Sequence, residues 1–206
     1  MPLNAIPFDY KSIAIPSEIT QFLNSVDDLV ESHRVNTAKR FRGFVPSDYP
    51  ALYQCLKALH ASDLTCGNRF CEWGSGISVV TSLAAMIGFE SYGIEYDTTL
   101  CDVAAQIHQG LQVPVNIVNG SFIPEGVDDL IDEAFSEQEG ELALHTEPDS
   151  AYDENGYEIE DFDLIFAYPW PNDVPLIHNL FERRAAQGAL LLIYYETDLI
   201  DLHRKA

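Results

Sequence analysis

The sequence predicts an α/β fold: a doubly wound, mostly parallel sheet with helices on both faces. Three observations carry this reading. Short, almost wholly apolar stretches recur along the chain and alternate with segments whose apolar residues fall at helical spacing. The connections between them are short, as right-handed crossovers between neighbouring parallel strands allow. The chain has 206 residues, 47% of them hydrophobic, which is enough for one domain with a substantial core.

The elements follow in order. Residues 1–16 contain Pro2, Pro7 and Pro16 and read as an extended arm. Ser17 is placed to cap a helix running to about Ser32, with Ile19, Phe22, Leu23, Val26, Leu29 and Val30 on its buried stripe. A basic loop with Arg34, Lys39, Arg40 and Arg42 closes an N-terminal region, residues 1–43. The α/β domain proper, residues 44–206, opens with Phe44-Val45-Pro46-Ser47. Asp48 then caps a helix with Pro50 in its first turn and Leu52, Cys55, Leu56 and Leu59 inward. Strands are expected at Arg69–Glu72, Ser91–Glu95, Val115–Val118, Phe162–Ala167 and Ala189–Tyr195. Helices are expected at Ile77–Ile87, about Thr99–Gly110, about 125–137 and about Val174–Gln187. Eleven residues follow Tyr195, room for one short strand within Thr197–His203. The exposed sheet edge then needs a cover, either the N-terminal helix or a second subunit in a homodimer.

Charge is distributed unevenly. The chain carries 33 Asp and Glu against 11 Lys and Arg, a net of −22. Fifteen of those acids lie between Glu125 and Asp161, with no Lys or Arg among them. The 125–137 helix uses Val127, Leu130, Ile131 and Phe135. Residues 138–160 are left as an acidic insertion, read either as a solvated loop or as a fence that attracts a basic substrate. Such a balance argues against a nucleic-acid partner and against an anionic membrane surface. Cys55, Cys66, Cys71 and Cys101 form no Cys-x-x-Cys pair and read as thiols in a reducing cytoplasm. There is no signal-peptide pattern at the N-terminus, and the longest apolar run, Ala189–Tyr195, is too short for a bilayer.

In a sheet of this kind ligands sit beyond the carboxyl ends of the strands. Four motifs map there. Phe70-Cys71-Glu72-Trp73-Gly74-Ser75-Gly76 ends the first strand in a turn that lets a ligand approach backbone N–H groups. Glu95 ends the second strand, where a carboxylate can accept both hydroxyls of a ribose. Asn119-Gly120-Ser121-Phe122 follows the third strand, and Tyr168-Pro169-Trp170-Pro171 the fourth. A dinucleotide fingerprint fails at its third glycine, where Val79 stands, and Glu72 would repel a pyrophosphate. That carboxylate suits an ammonium, a sulfonium charge and an adenosyl ribose, which S-adenosylmethionine combines. A calcium loop at Asp153-Glu154-Asn155-Gly156 fails because Ala151 and Phe162 occupy carboxylate positions. The six histidines lack metal-ligand spacing, and no Gly-x-Ser-x-Gly elbow is present.

Glu72-x-Gly74-x-Gly76 after a strand, with Glu95 closing the next, resembles the class I S-adenosylmethionine-dependent methyltransferases over roughly residues 44–195. The resemblance implies their Rossmann-like fold. It implies that Glu72, Gly74, Ser75 and Gly76 hold the methionine end of the cofactor, that Glu95 with Tyr96 beside it holds the ribose, and that Gly120, Ser121 and Phe122 flank the adenine. Ser121 stands where many members carry Asp. The Phe44–Ser47 segment is similar to one in protein-lysine methyltransferases of this fold, which would bring the Ser47 hydroxyl to the cofactor. The fourth motif departs from amino-group methyltransferases: Ala167 takes the polar position and Tyr168 that of the first proline. Tyr168, Pro169 and Trp170 are expected as the acceptor wall, their aromatic faces attracting cations at about 0.5–2 kcal/mol. Asp173 is an acid/base candidate and equally a helix N-cap. Arg40 and Arg42 either meet the cofactor carboxylate or are solvated. The expected function is methyl transfer, without a metal, to an unidentified acceptor such as an amino group of a basic protein or a polyamine. The alternatives are a non-catalytic cofactor-binding or scaffold protein of the same fold, which Ala167 favours, and an NAD-dependent oxidoreductase.

Overall fold

The central strands are apolar on both sides because both sides are covered. In the computed structural model, which describes residues 3–36, 44–109, 114–137, 142–149, 151–152, 156–195 and 199–206, thirteen elements are formed by the described residues. They run β1 (Asn4–Ala5), α1 (Ser17–Asn36), α2 (Tyr49–His60), β2 (Arg69–Trp73), α3 (Val79–Ile87), β3 (Glu90–Glu95), α4 (Thr98–His108), β4 (Asn116–Asn119), α5 (Asp128–Glu137), β5 (Leu164–Ala167), α6 (Val174–Arg184), β6 (Leu190–Tyr194) and β7 (Ile200–Arg204). The sheet order is β1-β7-β6-β5-β2-β3-β4. Strands β2 to β6 are parallel; β7 runs antiparallel to β6, and β1 antiparallel to β7.

Alternation along β6 shows the layering. Leu190, Leu192 and Tyr194 face a core shared with α1 to α4, while Leu191 and Ile193 face a second core shared with α5 and α6. The same alternation in β2 sends Phe70 to the first core and Cys71 and Trp73 to the second. Strand order reverses between β2 and β5, so the cleft expected of such sheets opens beyond Trp73 and Ala167.

Several expectations are corrected. The edge of β7 is covered not by the N-terminal helix but by the arm itself: Asn4 pairs with Arg204 and Ala5 with His203, and the Ile6 N–H donates to the Leu202 carbonyl at 2.8 Å. The sheet therefore keeps seven strands, with the outermost supplied from the N-terminus. Ser17 is the first helical residue rather than the cap, since the Pro16 carbonyl accepts the first helical N–H, from Thr20 at 3.2 Å. Helix α3 begins at Val79, two residues late, because Ser78 sits in the left-handed region at φ 58°. Asp48 does cap α2, accepting the Ala51 N–H at 3.0 Å.

The acidic insertion is anchored by a few packed residues over its described part, while Ala143, Glu147, Pro148, Glu158 and Glu160 stay exposed. Ala151, Tyr152 and Ile159 are buried, and Leu142, Leu144 and Tyr157 lie against the second core. Residues 153–155 of the rejected calcium loop lie outside the described residues, as do Lys39, Arg40, Arg42 and Thr197. No helix among the described residues is long and apolar enough to cross a membrane.

Candidate functional site

The turn after β2 is held open by backbone geometry. Gly74 and Gly76 adopt φ 70° and 57°, which L side chains rarely take. The Gly74 and Ser75 N–H groups both donate to the Ile94 carbonyl, at 3.0 and 2.9 Å, tying the turn to β3. A Cβ on Gly74 would meet nothing within 4 Å, so the turn presents open backbone to the cleft. A Cβ on Gly76 would fall 2.9 Å from the Phe44 ring, which lies over the turn. Gly76→Ala thus combines left-handed backbone with overlap on Phe44. It is expected to cost about 2 kcal/mol, read as an earlier urea midpoint.

Glu95, at the end of β3, fixes the same turn from below. Its Oε2 accepts the Gly76 N–H at 2.7 Å and its Oε1 the Asp97 N–H at 2.8 Å. Burial raises its pKa against the pull of those backbone donors. The Tyr96 N–H is a third backbone donor to this carboxylate, which lines the cleft. Asp97 in turn caps α4 by accepting the Thr99 N–H at 2.7 Å.

Glu72 is the unusual group. It is 5% exposed, and its Oε2 accepts both the backbone N–H and the hydroxyl of Thr81. Burial pushes its pKa up to about 8, beyond what the Thr81 donors pull down, and the charge of Glu95 adds to the rise. No cation among the described residues forms a salt bridge with it.

These groups line a cleft of about 260 Å³ at the carboxyl edge of the sheet. The structure brings Glu72, Gly74, Ser75, Gly76, Glu95, Phe122, Ser47, Tyr168, Pro169, Trp170 and Asp173 to its walls. An adjoining hollow of about 290 Å³ shares Gly74, Glu95 and Phe122 and adds Tyr96, Gly120 and Ser121. The residues assigned to cofactor and acceptor from the sequence, Arg40 and Arg42 apart, therefore border one groove running from β5 to β4. Among the described residues, every Asp, Glu, Lys or Arg lining the main cleft is an acid: Glu72, Glu95, Asp97 and Asp173.

At the β5 end, Tyr168 meets Tyr194 edge-on with centroids 4.9 Å apart, while Trp170 stays 42% exposed at the mouth opposite the exposed Val45. Asp173 departs from its expected role as a helix cap. Its side chain makes no cap bond to α6; its Oδ1 accepts the Ala143 N–H at 3.0 Å. It is 1% exposed, and burial raises its pKa. Sequence reasoning missed Thr81, Asp97, Asp149 and His145. Asp97 carried a usable signal, a cap residue before a helical stripe. The others act through partners far away in sequence.

No protein-family model and no curated protein matches the chain. Solved structures do match. An RNA methyltransferase from Salinibacter ruber, in complex with S-adenosyl-L-homocysteine, superposes with TM-score 0.50 at 15% identity, over 78% of this chain and 92% of that one. A cofactor-bound protein from MTB gives TM-score 0.49 at 17% identity, over 84% and 64%. An O-methyltransferase from Bacillus cereus, in complex with SAH, gives 0.47 at 14%, over 88% and 67%. The first of these establishes the fold of this chain as the Rossmann-like α/β fold of S-adenosylmethionine-dependent methyltransferases.

Proposed function

We propose that the chain binds S-adenosylmethionine in the groove and transfers its methyl group to an amine of a basic protein or a polyamine. The observation that carries this reading is Glu72: a buried carboxyl at the glycine turn, its pKa raised to about 8, without a cationic partner among the described residues. A ligand ammonium would ionise and pair with this carboxyl, whereas a pyrophosphate offers it no counter-charge, which weighs against a nicotinamide dinucleotide. The open backbone at Gly74 and the Glu95 carboxylate at the cleft suit the remainder of an adenosyl cofactor.

When bound, the cofactor supplies a methyl group already activated on a positively charged sulfur. The residues of the chain bind, orient and exclude water. Glu72 with the 74–76 turn would hold the methionine end, Glu95 with Tyr96 beside it the ribose, and Gly120, Ser121 and Phe122 would border the adenine. Ser47 lines the cleft from above the turn. Tyr168, Pro169 and Trp170 confine the acceptor, and alignment of this kind contributes about 7–11 kcal/mol to barrier lowering. An acceptor amine reaches this wall as an ammonium, which the aromatic faces and the acidic lining attract, and gives up a proton to solvent or to a carboxylate of the lining before its nitrogen lone pair takes the methyl group.

Incubation with methyl-labelled S-adenosylmethionine and cell extract is expected to label a basic protein or a polyamine. The kcat/KM is expected to fall several-fold between 0.05 and 0.3 M salt, because the acidic wall and insertion steer a cation. Salt-independent turnover would leave the insertion a structural role only. A second reading is favoured by Ala167, which supplies no side-chain acceptor at the cleft: the chain binds the cofactor without turnover. Binding with no label in any fraction selects that reading, and stabilisation by NAD instead selects the oxidoreductase.

A further inference from the structure

The described part of the acidic insertion crosses the groove and is fastened on both sides. On the acceptor side, the Ala143 N–H donates to the buried Asp173 Oδ1 at 3.0 Å. On the far side, Asp149 Oδ2 accepts the Ser121 N–H at 2.7 Å, and its Oδ1 accepts the Ala151 N–H at 2.7 Å. Gly120 makes that approach possible, since a Cβ there would lie 2.8 Å from Asp149 Oδ2 and 2.9 Å from the Ala151 Cβ. Between the fastenings, Ala143 and Leu144 line both hollows and His145 lines the second. The His145 ring lies flat on Tyr96, centroids 3.5 Å apart and planes 16° apart. One segment thus joins the turn after β5 to the turn after β4 across the groove.

We infer that residues 142–149 are a strap that retains the cofactor, and that Asp173 is the positioning residue that latches it. The inference rests on the cofactor reading above. A ligand lying along the groove borders Ala143, Leu144 and His145, and cannot leave over that side until the strap lifts. Lifting it breaks the Ala143–Asp173 bond and slides His145 from Tyr96. Because Asp173 also follows directly on the acceptor wall, occupancy of the wall and closure of the strap share one residue. The apolar residues of the insertion seat it against the core, and Glu147, Glu158 and Glu160 stay exposed while its backbone closes the site.

Stopped-flow displacement of S-adenosylhomocysteine tests this. Asp173→Ala, which removes the acceptor, is expected to raise the off-rate at least tenfold. Asp173→Asn, which keeps a carbonyl at the same place, is expected to return it to within about threefold of the parent chain. Ala143→Pro removes one of the two strap donors to Asp173, leaving that of Leu144, and is expected to raise the off-rate several-fold, so the test survives if Asp173→Ala fails to fold. Amide exchange adds a readout without ligand: the 143 N–H is expected to exchange faster in Asp173→Ala while the Thr81 N–H keeps its protection. Folded Asp173→Ala and Ala143→Pro chains with off-rates within twofold of the parent overturn the strap alone. A parent chain that binds no S-adenosylhomocysteine overturns the cofactor reading, and the strap's role with it.

Discussion

Glu95→Ala is expected to weaken S-adenosylmethionine binding about 100-fold and to lower the melting temperature of the free chain by several degrees. The two effects have one origin. Glu95 accepts the Gly76 and Asp97 N–H groups with separate oxygens, so its loss strands two donors beside the cleft. Bonds to a charged acceptor contribute about 1.5–3 kcal/mol each, and a stranded buried donor costs about 1–3 kcal/mol. The turn that Gly76 closes loses its tether to β3, and the ribose loses its acceptor. Glu95→Gln keeps one carbonyl but turns an NH2 toward the other donor, so it is expected to recover part of the stability and little of the affinity. Titration calorimetry and thermal melts of the three chains check this. An unchanged affinity in Glu95→Ala would place the ribose elsewhere.

Glu72→Gln is expected to stabilise the free chain at pH 8 while weakening the cofactor by about 100-fold. The sign follows from linkage. Folded Glu72 keeps its proton up to pH about 8, whereas in the unfolded chain it leaves near the ordinary 4.5. Between those values the folded state binds more protons, so its stability falls as pH rises and the loss is complete above pH 8. Glutamine has no charge to bury and can still accept from Thr81, so the variant lacks this loss. The gain at pH 8 is on the order of several kcal/mol, read as a melting temperature several degrees higher, and it vanishes below pH 4.5. With a cofactor ammonium beside it Glu72 is held ionised, so binding below pH 8 releases a proton. Affinity in the parent chain then rises with pH up to about 8, and in Glu72→Gln it does not. Melts across pH 4–9 and binding heats in buffers of different ionisation enthalpy measure both halves.

The strands were legible because burial on both faces writes itself as apolar runs. Glu72, Gly74 and Glu95 were legible because the chemistry of a strand end is local. The rest lay in pairings that hydropathy does not encode. Asn4 and Ala5 have no periodic pattern, and their strand exists only because Arg204 and His203 present an open edge. The acidic run hid Ala151, Tyr152 and Ile159, three buried residues that mark a packed segment within it. Asp173 looked like a cap from its place before α6, but its partner is Ala143, thirty residues back. Phe44 over Gly76 likewise joins two segments separated by α2.

The central claim is that the groove takes a cationic adenosyl cofactor. It is tested most directly by calorimetric titration of the parent chain at pH 7 with S-adenosylmethionine and, separately, with NAD. The expected result is one S-adenosylmethionine per chain with release of a proton from Glu72, and no heat from NAD. Binding of NAD in its place, or no binding of S-adenosylmethionine, would contradict the account.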